Sequence, residues 1–170
     1  MKVSENIMFQ VLQAGYGDCI FISIQKGNSS FEILVDGGLA STYYNARERR
    51  NPMGPLKTLL DDLKKRGDHI DLLICTHVDD DHIGGIRKWF ETDFPTKDFV
   101  REIWINDDVQ IADIHDLNNT SPHAASIIEK LKERNIQYQN GIVTGFSREN
   151  EFCNIKVIAP SVAHHNAIAR

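Results

Sequence analysis

The part of the sequence that most limits the possible folds runs from residue 70 to residue 90. It opens with Ile70–Cys75, a short apolar run of the length and composition of a buried strand. A polar segment, Thr76-His77-Val78-Asp79-Asp80-Asp81-His82, follows directly, and residues 82–90 have the composition of a helix. A strand, a polar loop and a helix in direct succession predict a layered α/β domain with polar side chains at the end of a buried strand.

The remaining segments predict further strands and helices of the same domain. Apolar runs separated by short, glycine-containing breaks predict three antiparallel strands, because parallel neighbours need a longer crossover. We expect these strands at 7–12, 19–24 and 31–35, a surface loop at 39–55, a helix from Leu56 to Gly67, a strand at Val100–Ile105, a helix capped by Ser121, and strands at 141–145 and 152–159. We therefore expect one α/β domain over residues 1–170.

The charge and the cysteines exclude several classes of protein. The formal net charge is −5, so no overall positive field favours nucleic acid or an acidic membrane, and the short basic run Arg47, Arg49 and Arg50 is typical of a solvated loop. No segment resembles a signal peptide or a membrane span. The three cysteines are far apart, which argues against a disulfide framework and a thiolate zinc site. We expect a cytoplasmic protein that binds neither membranes nor, stably, nucleic acid.

The loop between strand and helix has the spacing of a metal site. Residues two apart in an extended segment point the same way, so His77 and Asp79 are candidate ligands of one metal ion. Asp81 and His82, where the chain turns into the helix, are candidate ligands of a second ion. Imidazole and carboxylate ligands suit zinc first, with manganese and iron as alternatives. Two such ions could activate a bridging water for hydrolysis.

Three other residues support this placement. Gly84 and Gly85 lack a β-carbon, so the start of the helix can press against the sheet or the loop. Asp36 follows the strand 31–35 and precedes two glycines, and it has two alternative roles. It could hold a ligand or a metal-bound water in place, or it could form an Asx turn where the chain leaves the strand.

The other histidines and acids have less specific surroundings. His69, His115 and His123 are expected on the surface or at caps, and the pair His164 and His165 lies near the chain end. Asp107 and Asp108 after the strand Val100–Ile105 are expected to end that strand in water.

The sequence resembles the metallo-β-lactamase superfamily, whose signature is H-x-[HD]-x-D-H after a buried strand. The segments that carry this resemblance are FQVLQAGYGDCIFISI, ILVDGG and THVDDDHIGG, and they are similar in particular to the hydrolase domain of ComEC-type competence proteins and its soluble relatives. The resemblance implies an αββα sandwich built from two similar halves. It also implies that His77, Asp79, Asp81 and His82 bind two metal ions, that Asp81 is catalytic and orients the attacking water, and that Asp36 is the supporting aspartate.

The chain departs from the family pattern after the first half. The family brings a further histidine, a bridging aspartate and a final histidine from later strands, whereas only SVAHHNAIAR follows Pro160 here. We therefore expect the N-terminal half or a shortened version of the fold, C-terminally incomplete.

Three functional hypotheses follow from these observations. The first is a hydrolase of phosphodiester or other ester bonds in a small-molecule or nucleotide-type substrate, with two divalent metal ions. The second is a truncated or degenerate relative that binds a partner without catalysis. The third is a homodimer in which each copy supplies a half-site. The sequence leaves the choice between enzyme and binding module open.

Overall fold

The first three strands form an antiparallel meander. The computed structural model describes residues 5–48, 50–106 and 122–160, without the side chains of 122–125. Its first strands are β1 (Glu5–Val11), β2 (Ile20–Lys26) and β3 (Ser29–Val35). Phe9 pairs with Ile22, and Ile22 pairs with Ile33, so side chains at these positions share one face of the sheet. The predicted antiparallel order is confirmed.

The second half of the sheet is parallel. The strands β4 (Ile70–Cys75), β5 (Val100–Ile105) and β6 (Tyr138–Gln139) extend it in chain order to six strands. The connections contain the helices α1 (Ala40–Tyr43), α2 (Pro55–Arg66), α3 (Asp80–Thr92) and α4 (Pro122–Glu133). Because the crossovers all move the chain the same way across the sheet, right-handed connections place their helices on one face.

The core on the helical face forms because each helix carries one apolar stripe. In α2 the predicted stripe Leu56, Leu59, Leu60 and Leu63 is buried, and the helix ends where Gly67 adopts a left-handed conformation. Ile83, Ile86 and Trp89 of α3 join the same cluster, as do Ile127, Ile128 and Leu131 of α4. This core fixes the end of β4 and the start of α3, between which the candidate site lies.

The opposite face of the sheet is covered in part by a hairpin of β7 (Ser147–Glu149) and β8 (Asn154–Lys156). Phe152 stacks on Phe31 of β3, and Phe146 packs edge-on against Trp104 of β5. The layers described are therefore helices, a six-stranded sheet and a two-stranded sheet. This mixed α/β arrangement is consistent with a metallo-β-lactamase-like fold, as expected from the sequence. That the chain is an N-terminal half stays a prediction.

Several predicted element boundaries were wrong. Residues 141–145 do not form a strand, because Gly141 and Gly145 have positive φ angles and the Asn106 side chain takes both backbone groups of Ile142. The strand expected at 152–159 is confined to 154–156. The loop expected at 39–55 contains α1, and α3 begins at Asp80 rather than at residue 82. Ser121, the predicted cap of α4, lies outside the described residues.

Strand β1 leaves an apolar edge in contact with solvent. It lies at one end of the strand order, and all seven of its residues are exposed. Ile7, Phe9 and Val11 share the face of the sheet that also carries Ile22 and Ile24 of β2. Long apolar edges of this kind are templates for pairing with another chain.

Among the helices of the described residues, none has the length and apolar composition of a membrane span.

The packing of α2 yields a stability prediction. Leu60 is 1% exposed, so Leu60→Ala removes buried methyl groups and leaves a cavity; we expect a loss of about 2–5 kcal/mol in the free energy of unfolding. Lys65→Ala on the same helix, where the side chain is 75% exposed, should change it by less than about 0.5 kcal/mol. Urea denaturation followed by circular dichroism measures both. Equal losses would show that α2 does not pack on the sheet as described.

Candidate metal centre

The site forms where two parallel strands end side by side. Val35 of β3 pairs with Ile74 of β4, so the residues that follow each strand meet at the same edge of the sheet. The backbone N–H of Asp36 donates to the carbonyl of Ile74 at 2.8 Å and extends this pairing by one step. Asp36 therefore lies next to Thr76, 40 residues further along the chain, immediately before the candidate ligand loop.

Asp36 is a buried acceptor for three donors. It is 1% exposed. The Thr76 N–H donates to Oδ1 at 2.8 Å, the Thr76 hydroxyl donates to Oδ2, and His82 Nδ1 lies 2.9 Å from Oδ2. Burial raises the pKa of the Asp36 carboxyl, and the hydrogen bonds from Thr76 and His82 oppose this rise because they stabilise the charged form. Of its two predicted roles, the geometry favours holding a candidate ligand in place.

The same contact fixes the orientation of the His82 ring. A carboxylate accepts hydrogen bonds and cannot donate them, so Nδ1 carries the proton, and in the neutral ring Nε2 keeps its lone pair. The hydrogen bond to Asp36 raises the pKa of His82, with further contributions from the charges of Asp36, Asp81 and Asp18. Nε2 lies 3.9 Å from Oδ2 of Asp81, so this ring nitrogen and the carboxylate are near neighbours.

The four predicted ligands occur as two neighbouring pairs. His77 Nδ1 lies 3.2 Å from Oδ2 of Asp79 and also accepts the Asp79 N–H at 3.3 Å. The rings of His77 and His82 are 5.9 Å apart between centroids, which brings the two pairs to the same place. The loop thus juxtaposes the residues that the spacing predicted. Their role as ligands stays a prediction.

Glycines allow the surrounding backbone segments to touch. A β-carbon on Gly85 would lie 2.1 Å from the carbonyl oxygen of Gly37, and one on Gly84 would lie 2.9 Å from the nitrogen of Ala40. The Gly37 N–H donates to the His82 carbonyl at 2.7 Å, and the Gly85 N–H donates to the Gly38 carbonyl at 2.8 Å. The helix start does make a close approach, but its partner is the loop after β3 rather than the sheet or the metal loop.

The structure adds two residues that the sequence did not single out. Thr76 donates twice to Asp36, and Asp18 lies near enough to His82 to raise its pKa. The loop between β1 and β2 rests on the ligand loop, since a β-carbon on Gly17 would lie 1.8 Å from the Asp81 carbonyl oxygen. This contact brings the neighbouring Asp18 close to His82. The Gly-Asp pair at the end of a turn was the available signal.

The donor set suits a divalent metal in kind. Two donors held about 2.0–2.2 Å from one ion in a tetrahedral site lie roughly 3.3 Å apart. The His77–Asp79 separation of 3.2 Å is near this value, but His77 Nδ1 already accepts the Asp79 N–H, and the Asp81–His82 separation of 3.9 Å is wider. Among residues 5–48, 50–106 and 122–160, no group of three His, Cys, Asp or Glu side chains is arranged to hold one ion. Each pair therefore offers two protein donors.

The remaining histidines and acids do not join this centre within the described part of the chain. His69 Nε2 donates to Oδ1 of Asp71 at 2.9 Å at the other end of β4. His115, His164, His165, Asp107 and Asp108 lie outside the described residues, and the side chain of His123 does too.

A comparison with known families covers the segment that contains this site. A family model described as the metallo-beta-lactamase superfamily matches residues 12–104. The chain belongs to the metallo-beta-lactamase superfamily. The matched segment contains Asp36 and all four residues of the two donor pairs. No curated protein matches the chain at a significant level of similarity. Members of this superfamily typically bind metal ions.

The Asp36 contacts yield a prediction about the His82 ring. In Asp36→Asn, the Thr76 N–H needs an acceptor, so the amide oxygen takes the position of Oδ1. The amide NH₂ then takes the position of Oδ2, opposite His82 Nδ1, where it is a donor. The proton should then move to Nε2, and ¹⁵N NMR of the neutral ring should show the tautomer change. Asp36→Ala removes all three bonds and should cost roughly 1–3 kcal/mol of unfolding free energy. An unchanged tautomer and an unchanged stability would contradict the described contacts.

Proposed function

We propose that this protein is a hydrolase that uses two divalent metal ions, zinc first and manganese or iron as alternatives, to cleave phosphodiester or other ester bonds. The observation that carries the proposal is the His82 ring, which Asp36 holds through Nδ1 and whose Nε2 lies 3.9 Å from Oδ2 of Asp81, inside a loop that also presents His77 and Asp79. A buried carboxylate that accepts from the other ring nitrogen is typical of metal-ligating histidines, because it sets the tautomer and the orientation of the ring.

Each residue has a defined part in this proposal. His77 and Asp79 would hold one ion, and Asp81 and His82 the other, while Asp36 keeps His82 in place. By the family resemblance, Asp81 would also orient the attacking water. Bound ions would supply a water of lowered pKa and would polarise the ester. Asp18 would add negative charge beside His82 and strengthen binding of a cation.

The proposed substrate is a small-molecule or nucleotide-type ester. The net charge of −5 does not favour long nucleic acid, so an anionic group would be held by the ions at the centre. The resemblance of residues 9–86 to ComEC-type hydrolase domains supports a phosphodiester.

The proposed cytoplasmic location is supported by Cys19 and Cys75, which are free and buried. Burial raises the pKa of Cys19 to about 12, which is expected of an inert core thiol.

The metal proposal predicts unequal effects of two histidine substitutions. His82 and His69 are equally exposed, at 25% and 26%, and each ring contacts one buried aspartate. His82→Ala should lower the affinity for Zn²⁺ or Mn²⁺ by at least about tenfold, since loss of a supporting residue alone costs roughly 10- to 100-fold. His69→Ala should leave it unchanged. Isothermal titration of metal-stripped protein measures both affinities.

Activity provides the second measurement. Turnover of bis(4-nitrophenyl) phosphate and 4-nitrophenyl acetate should require added metal and should be lost in an Asp81→Ala, His82→Ala double variant that remains folded. Turnover in the presence of a chelator, or equal metal affinity in the His82 and His69 variants, would refute the proposed centre.

The second candidate, a partner-binding module, is supported by the edge of β1. The Leu12 N–H donates to the Cys19 carbonyl, so the even-numbered residues of this strand face β2 and the odd-numbered ones direct their backbone groups outward. We propose that a second copy pairs there about a twofold axis at Phe9, with Ile7 opposite Val11 of the other copy. Glu5 is the one charged residue of β1, and this register leaves it at the outer end.

Self-association should therefore depend on Phe9, which is 66% exposed. Phe9→Lys places a charge at the proposed axis and should convert a dimer into a monomer in sedimentation velocity. Gln10→Lys adds the same charge on the opposite face and should have a smaller effect. A monomeric wild type at all concentrations tested would contradict this mode of pairing.

A further inference from the structure

A cavity of about 290 Å³ lies between the sheet and the segment that contains the β7–β8 hairpin. Its walls include Val35, Ile74 and Trp104 from the carboxyl ends of β3, β4 and β5, and Ile142, Ile155 and Val157 from the other side. The hairpin packs on the sheet through Phe152 and Phe146, and the cavity is the space left at the carboxyl ends of the strands. Ligands of α/β proteins bind most often at this end of a parallel sheet.

The lining selects an apolar ligand. The side chain of Asn106 reaches the cavity, but its amide donates to the Ile142 carbonyl at 2.8 Å and its oxygen accepts the Ile142 N–H at 2.7 Å. Trp104 Nε1 donates to Glu102, so its ring presents carbon atoms to the space. Lys156, an exposed side chain at the wall, is the charged group of the lining, and a neutral sugar would lose its hydration here with little gain in hydrogen-bond partners. An aromatic or branched aliphatic group would not.

The cavity and the candidate metal centre share one residue. Thr76 lines the cavity, and its N–H and hydroxyl both donate to Asp36, which holds His82. A group that fills the cavity would therefore present its attached bond to the edge of the sheet where His77 to His82 lie.

We infer that this cavity binds an apolar group of about ten non-hydrogen atoms, since its volume is roughly that of ten waters of the liquid. On the basis of the proposed function, we assign this group to the acyl or alcohol part of the ester that the metal centre cleaves. The cavity would then limit the substrates to esters with one ring or a short branched chain next to the scissile bond.

Two tryptophans allow binding to be tested without metal. Trp104 lines the cavity, whereas Trp89 is 0% exposed and belongs to the core on the helical face. Benzyl alcohol should shift the indole ¹⁵N–¹H resonance of Trp104 saturably and leave that of Trp89 unchanged, with the two resonances assigned from Trp104→Phe. Inositol, a polar ring of similar size, should shift neither.

Variants of Val157 test the location. Val157→Phe fills the cavity and should weaken benzyl alcohol binding at least tenfold, whereas Val11→Phe, on the exposed edge of β1, should leave it unchanged. Val157→Ala enlarges the cavity and should strengthen binding of 2-naphthylmethanol relative to benzyl alcohol. The Val157→Ala comparison decides the question if the Phe variant fails to fold. Unshifted Trp104, or binding that is indifferent to both Val157 variants, would overturn the inference.

Hydrolysis separates this inference from the proposed function. With metal, kcat/KM for benzyl acetate should exceed that for methyl acetate at least tenfold, and Val157→Phe should abolish this preference. Absence of all ester hydrolysis alongside saturable binding at Trp104 would refute the proposed function and support the cavity as a binding site. Hydrolysis without any preference for the benzyl ester would refute the role of the cavity in substrate selection.

Discussion

The buried carboxylate of Asp36 is the contact on which the candidate centre depends. It joins three segments that are distant in sequence: the end of β3, the residue after β4 and the first turn of α3. Each of these segments is held by the helical core, but the core alone does not set the rotation of the His82 ring. The carboxylate does, because its oxygens accept from Thr76 and from Nδ1 and leave Nε2 towards Asp81. The orientation of one imidazole is thus an outcome of the packing of the whole sheet edge.

The glycines around this carboxylate explain how so many backbone segments reach it. Gly37 and Gly85 let the loop after β3 and the start of α3 exchange backbone hydrogen bonds, and Gly17 lets the loop after β1 contact Asp81. Asp36 itself has a φ of 56°, a conformation that aspartate tolerates better than most residues because its short side chain can bond locally. Backbone contacts of this kind leave little room for adjustment. The loop is therefore positioned before any ligand arrives.

The sequence predicted what is encoded locally and missed what depends on distant contacts. The stripe of α2 and the buried run of β4 follow from spacing alone, and both are confirmed. The role of Asp36 remained ambiguous, because its partners lie 40 and 46 residues away. Thr76 and Asp18 were missed for the same reason. The strand expected at 141–145 failed because its apolar residues suggested pairing with a strand, whereas an asparagine side chain takes that backbone instead.

The two faces of the sheet contribute differently to the proposed chemistry. The helical face is a continuous core, and it fixes the ligand loop through Ile83 and Ile86 at the start of α3. The other face is covered only in part, so it retains a cavity beside Thr76 and an apolar edge at β1. Substitutions under the hairpin can therefore change which group fits the cavity without altering the core that positions His82. Thr76 is the exception, because it belongs both to the wall of the cavity and to the hydrogen bonds of Asp36.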